Sequence, residues 1–307
     1  MFNYEYWGRG VFPSQINMAL EEFLIRRIAE ETKDKHLATV RFYSFAKDSI
    51  VLGYAQATDV LKKLDPSVDL TRRVTGGSHV QTGPNIIAYS FVVPRDGSFR
   101  DYEDMRAYFA TQVANALSNI GVDAVDVDNK ASTINVNGRV IASHAIWWGV
   151  KSALLHGLVH LTPYDVDKIA SRVLLQRRKI GNSVYSEYDA LRNLPTVSTE
   201  LDGNAPPQTS PYALRGLVAE AILKEVTGGN YESRVINDAV IDRSMELLKQ
   251  RYGVPRWINR HQPTFTRREV EEIPGEDLSG PLKRNLGYCL FLQVPDKDFK
   301  KMAGPQV

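Results

Sequence analysis

Arg72-Arg73-Val74-Thr75-Gly76-Gly77-Ser78, running on through His79 to Gly83, Pro84 and Asn85, places two guanidiniums, a hydroxyl and paired glycines side by side. A guanidinium offers a planar fork of donors matched to phosphate or carboxylate, and glycines let backbone N–H groups come close to an anion. The stretch reads as an anion cradle, although a surface turn with solvated arginines would use the same residue types. Residues 86–93, Ile-Ile-Ala-Tyr-Ser-Phe-Val-Val, follow as a mostly apolar run of strand length. A loop held by a buried strand is well placed to carry chemistry.

Upstream, Phe2 to Trp7 suits a short strand, and Pro13-Ser14 opens a helix with Ile16, Leu20, Phe23, Leu24 and Ile28 on one face. Glu21 and Glu22 read as part of its solvated side. Thr39 to Phe45 and Ser49 to Tyr54 form two strands around a turn at Lys47-Asp48. Downstream, the pattern predicts a helix from Tyr102 to Ile120 ended by Gly121, and a half-buried strand over 122–127. Asp123, Asp126 and Asp128 could be metal ligands, but alternation alone explains acids on the wet face of an edge strand. Asn137-Gly138, between 132–136 and 139–145, is a type I′ hairpin signal, because both residues tolerate left-handed dihedrals. A strand over Ala153 to Leu161 carries His156-Gly157 and His160, with Gly157 suggesting close backbone approach. Helices are expected over 163–175, 210–226 and 238–252, a loop over 200–210, and a last strand over 287–294.

The chain has 307 residues, enough for one large domain or two modest ones. Its net charge is +2 with Lys+Arg nearly balancing Asp+Glu, so neither a nucleic-acid surface nor a polybasic membrane patch is indicated. The single cysteine, Cys289, excludes an intramolecular disulfide and a CxxC metal site, and no metal site is expected. Without a signal-peptide pattern or a long apolar run, the cytoplasm is the default compartment.

The ordered set of motifs resembles the biotin/lipoate protein ligases, in particular the lipoate–protein ligase A branch. It comprises 17–22 (Asn-Met-Ala-Leu-Glu-Glu), 41–45 (Arg-Phe-Tyr-Ser-Phe), 51–56 (Val-Leu-Gly-Tyr-Ala-Gln), the Arg72-Arg73-x-Thr75-Gly76-Gly77 loop, 136–139, His156-Gly157, 183–186 and Trp257. The resemblance implies an α+β fold, a mixed or antiparallel sheet with packed helices, with residues 1–260 as the catalytic domain and 261–307 as a C-terminal extension. It implies a lipoate- or octanoate-attaching ligase using ATP and Mg, with a lipoyl-carrier domain as partner and a second ligase subunit as a further candidate partner. The residues it points to for acyl-adenylate binding are Arg72, Arg73, Thr75, Gly76, Gly77, Ser78, Gly138, His156 and Gly157, with 53–56 as a pocket wall.

The sequence departs from that pattern at three places. Val140 stands where the family carries a lysine, Ser132-Thr133 replaces Asn-Asp before the hairpin, and Thr82-Gly83 replaces His-Asp after the glycine loop. Losing a cation beside a reacting carboxylate and phosphate costs catalysis roughly 3 to 4 kcal/mol, by analogy with a lost oxyanion donor. Strand alternation places Val140, Ala142 and His144 on one face, which makes His144 a candidate replacement, with Lys151 and Lys179 as further candidates. The rival expectation is a non-catalytic homologue that binds acyl group, carrier or partner ligase chain.

Overall fold

The computed structural model describes residues 2–31, 36–62, 67–180, 183–201 and 210–260, with the side chains of 178–185 and 260 outside that description. The strands are β1 (Asn3–Phe12), β2 (Leu37–Phe45), β3 (Ser49–Leu52), β4 (Asp69–Arg72), β5 (Val80–Thr82), β6 (Ile86–Pro94), β7 (Val125–Asp128), β8 (Thr133–Val136), β9 (Arg139–Trp148), β10 (Ser152–His160), β11 (Arg177–Ile180), β12 (Ser183–Ser186) and β13 (Glu232–Ser233). The helices are α1 (Ser14–Glu30), α2 (Tyr102–Asn119), α3 (Val166–Arg172), α4 (Glu187–Arg192), α5 (Val197–Glu200), α6 (Pro211–Thr227), α7 (Asp238–Leu247) and α8 (Pro255–Arg260), with a π-helical turn at Leu248–Tyr252. The expected strand over 287–294, Cys289 and the extension 261–307 lie outside the described residues.

One mixed sheet in the order β13-β1-β2-β6-β10-β9-β8-β7 forms the framework. β1 pairs in parallel with β2 and β13, and the remaining pairs are antiparallel. Helices cover both faces, which makes the fold α+β as expected. On one face Val40, Phe42, Tyr89, Phe91 and Leu155 pack with Met105, Phe109 and Val113 of α2 and Leu214, Val218 and Ile222 of α6. On the other, Tyr43, Phe45, Ala88 and Leu158 pack with Met18, Leu20 and Leu24 of α1, backed by Val240, Tyr252 and Trp257. Two-sided cover explains why every residue of β2 is buried. A small sheet, β4-β3-β5, holds the glycine loop between β4 and β5.

Asn137 and Gly138 both have positive φ, 50° and 73°, as the type I′ turn requires. β7 is an edge strand, Asp128 accepts from the Lys130 and Ala131 N–H groups in the following turn, and Asp126 accepts from the Asn135 side chain, so these two acids serve local structure. The helix expected over 163–175 is shorter, because Asp165 caps it by accepting from Lys168 N–H. Among the described residues no helix is long and apolar enough to cross a membrane.

Glu21 and Glu22 correct the sequence reading, since each is only 1% exposed. The α7 region and the π turn cover the second side of α1, a layer that the periodicity of α1 cannot reveal. Glu22 is satisfied there by Arg26 at 2.6 Å, Arg251 at 2.9 Å and the Tyr252 hydroxyl at 2.7 Å.

Candidate active site

The arginine pair of the glycine loop builds the loop from behind. Arg72 is fully buried, and its guanidinium donates to the carbonyls of Gly53, Tyr54, Gln56, Trp257 and Ile258. With its donors committed to backbone, Arg72 acts as a clamp, which corrects its reading as an anion ligand. Arg73 donates to the carbonyls of Val51 (3.2 Å), Gly76 (2.6 Å) and Ser78 (2.8 Å), and through Nε to Thr75 Oγ1 (2.9 Å). Burial pulls its guanidinium down to about 10, so it remains charged at neutral pH.

By gathering the carbonyls, Arg73 leaves the N–H groups of Gly76, Gly77 and Ser78 without an acceptor among the described residues, on an exposed edge. Gly77 adopts φ 92°, and its carbonyl lies 1.8 Å from where a Cβ on Gly53 would sit. The 53–56 segment therefore backs the loop, and Val51 is the residue of that strand that reaches the pocket wall.

Behind the loop runs a buried polar chain. Thr75 Oγ1 is 2.7 Å from His156 Nε2, and His156 Nδ1 is 2.8 and 3.0 Å from the two oxygens of Glu21. The Tyr43 hydroxyl donates to Glu21 at 2.6 Å, and burial with the adjacent carboxylate raises its pKa well above the ordinary value. Arg41 sits 4.4 Å over the Tyr43 ring and donates to Asn17 Oδ1 at 2.6 Å. Sequence reasoning missed Glu21 and Tyr43. The available signal was Asn17 and Glu21 at i,i+4 spacing, two polar residues in line on a helix otherwise rich in apolar ones.

Arg73 and His156 border a narrow pocket of about 80 Å³, whose other walls include Met18, Phe45, Val51, Ala88 and Leu158. Val80, Ser143 and Leu158 also border a wide cavity of about 660 Å³, walled by Ser78 to Gln81, by Gly138 to Val140 and by residues 186–195. Arg139 is the fixed cation on its described lining, held by the Asn193 carbonyl at 3.0 Å, with Glu187 and Asp189 as carboxylates. Burial pulls His79 down and holds His160 at about 3, so His160 is neutral.

His144 does not share the wall with Val140. Val140 pairs with Asn135 and Ala142 with Ile134, so Ile141 is an extra residue in β9, and this bulge reverses the alternation beyond it. Ser143 takes the place beside Val140 on the cavity side. The His144 ring projects toward α2, opposite Gly157 and in line with Ala142 and Ile146 of that core. Both its nitrogens lack a partner, and burial, then Arg106 and His156, hold it down at about 4. Gly157 faces the same way, where a Cβ would meet the Tyr89 hydroxyl at 2.4 Å. Lys151 is exposed in the β9–β10 turn, five positions along the chain from His156, roughly 16 Å in extended strand. Lys179 lies on β11, and its side chain is outside the described residues.

The loop, His156 and the hairpin thus meet on one side of the sheet, and residues 13–202 of the chain match the lipoyl protein ligase A/B catalytic domain model. The chain belongs to that family. Of the curated proteins, it is similar to a probable lipoate-protein ligase A of Mycoplasma genitalium, 29% identical over 178 residues, covering 56% of this chain and 50% of the relative. The match thus spans half of that relative's length.

Solved ligase structures share the fold. A putative lipoate protein ligase from Thermoplasma acidophilum with bound lipoic acid has a TM-score of 0.64 at 18% identity, covering 84% of this chain and 98% of that one. The same organism's bipartite lipoate protein ligase, with its E2 lipoyl domain, gives 0.64 at 17%, covering 84% and 96%. A lipoate-protein ligase A bound with ATP gives 0.63 at 18%, covering 84% and 98%.

Proposed function

We propose that this chain joins lipoate or octanoate to a carrier-domain lysine through an acyl-adenylate made from ATP, residues 1–260 forming the catalytic unit and 261–307 an extension. The observation that carries this reading is a narrow apolar pocket, polar at the Arg73 and His156 end, that adjoins a wide cavity walled at Ser78 by the glycine loop, where the N–H groups of Gly76, Gly77 and Ser78 have no acceptor among the described residues. The acyl tail occupies the narrow pocket, with its carboxylate toward the Arg73 end. The nucleotide phosphate meets the N–H groups of Gly76, Gly77 and Ser78, donors whose geometry is set before the substrate arrives. Gly138 keeps the hairpin tip free of side chain at the cavity edge, and Gly157 keeps β10 close to its neighbours.

Arg72 enters this reading as support for the loop, and Thr75 as the link between the loop and His156. Magnesium fits as an ion carried by the triphosphate, since such ions take one or two protein carboxylates and several phosphate or water oxygens. Among the described residues no group of three metal-binding side chains gathers. Lipoic acid and ATP bound to the two structural relatives, and the lipoyl domain of the bipartite ligase, support this choice of substrates and carrier.

The test is incubation of the purified chain with ATP, magnesium, lipoate or octanoate and a purified lipoyl domain, followed by mass spectrometry of the carrier lysine. A mass increase equal to the acyl group, dependent on ATP, is expected. Its absence for both acids, with the protein folded, would overturn the reading.

A further inference from the structure

The reaction proposed above leaves one step without an assigned group. A lysine amine arrives mostly as ammonium, and both it and the developing amide nitrogen must give up protons as the C–N bond forms. Among the basic side chains on the described wall of the narrow pocket, Arg73 cannot accept a proton, and the His144 ring points away into the α2 core. His156 remains. It is buried, its Nδ1 is held by both oxygens of Glu21, and its Nε2 meets the Thr75 hydroxyl at 2.7 Å.

The hydrogen-bond directions follow from the partners. A carboxylate can only accept, so Nδ1–H donates to Glu21, and Nε2 of the neutral ring accepts the Thr75 O–H. Arg73 Nε–H donates to the same Thr75 oxygen at 2.9 Å. This is a hydroxyl activated by an imidazole that is oriented by a buried acid. The Glu21 carboxylate, 1% exposed, also accepts from the Tyr43 hydroxyl, which fixes it against the imidazole ring.

We propose that Thr75, His156 and Glu21 form the proton acceptor for aminolysis, the second half of the ligase reaction on which this inference rests. The amine nitrogen bonds to the acyl carbon and the bond from that carbon to the adenylate oxygen breaks, its electron pair leaving with AMP. One amine proton passes to Thr75 Oγ1 as the Thr75 proton passes to His156 Nε2, and the other is lost to solvent. Glu21 is a positioning residue that fixes the tautomer and balances the charge gained by the ring.

Adenylate formation needs no such acceptor, which makes the two halves separable. The full chain, ATP and octanoate are assayed in parallel for amide on a lipoyl-domain lysine and for hydroxamate with added hydroxylamine, a nucleophile already unprotonated at neutral pH. Thr75→Val is expected to lower amide formation by about 100-fold or more, the scale of a lost general base, and hydroxamate at least tenfold less. Glu21→Gln should shift the partition the same way, and Thr75→Ser should restore it. Unfolding midpoints verify that each variant is folded.

Equal losses in both products, or failure of Thr75→Ser to restore amide formation while wild type makes both, overturn the proposal alone. So does an octanoyl ester on Thr75 in the intact mass of the wild type without carrier, which would make Thr75 an acyl acceptor. A wild type that makes neither product overturns the ligase reading itself, and the proposal with it.

Discussion

Arg72 and Trp257, 185 positions apart, hydrogen-bond to each other in both directions: the indole Nε1 donates to the Arg72 carbonyl at 3.0 Å and the Arg72 Nε donates to the Trp257 carbonyl at 3.1 Å. The pair ties the last described helix to the strand that leads into the glycine loop. The charge of Arg72, pulled down to about 10 by burial, is spread over five carbonyls and touches no carboxylate among its hydrogen-bond partners.

Arg72→Ala should therefore be a stability variant. Several buried carbonyls lose their donor at once, so we expect a loss of about 3 kcal/mol or more in urea unfolding. Arg72→Lys should recover only part of it, because one ammonium cannot span both sets of carbonyls. An Arg72→Ala protein as stable as wild type, but weak in ATP binding, would return Arg72 to the role of an anion ligand.

Val140 is part-exposed on the wall of the wide cavity, so a lysine there reaches open space. Val140→Lys is expected to change stability by no more than about 0.5 kcal/mol. It should raise adenylate formation at least tenfold, which is less than the roughly 3 kcal/mol attributed to a well-placed donor. Hydroxamate trapping and thermal unfolding on the same samples check both numbers. A stable variant with no gain would show that another group already activates the carboxylate.

His144 makes acid a specific threat to the fold. In the unfolded chain its pKa is about 6.5, and in the folded protein burial holds it at about 4. On acidification the unfolded state takes the proton first, so stability falls as pH drops from about 6.5 to 4, by up to roughly 3 kcal/mol. His160, held at about 3 by burial, acts in the same direction. His144→Leu removes two unpaired buried nitrogens, so at pH 7 it should be neutral or stabilising, and its loss of stability between pH 7 and pH 5 should be smaller than that of wild type. Urea unfolding at the two pH values decides this, and loss of ligase activity with stability intact would instead place His144 in the chemistry.

The sequence by itself determined what depends on neighbours along the chain. Asn137-Gly138 dictates its own turn through the left-handed dihedrals those residues tolerate, and the helical stripe of Tyr102 to Asn119 and the apolar β6 run are local periodicities. The order of motifs was enough to place the chain among lipoate ligases. Tertiary structure alone decided the fate of charges and faces. Glu21 is a buried partner of His156 because α1 packs on β10, a contact between segments 135 residues apart, and Glu22 is buried because the segment around Arg251 and Tyr252 closes over α1. Arg72 is a clamp because α8 returns to it. His144 leaves the cavity because Ile141 bulges, a shift set by pairing with β8. In each case the deciding energy is desolvation or ladder register, and both depend on residues distant in sequence that arrive only when the chain folds.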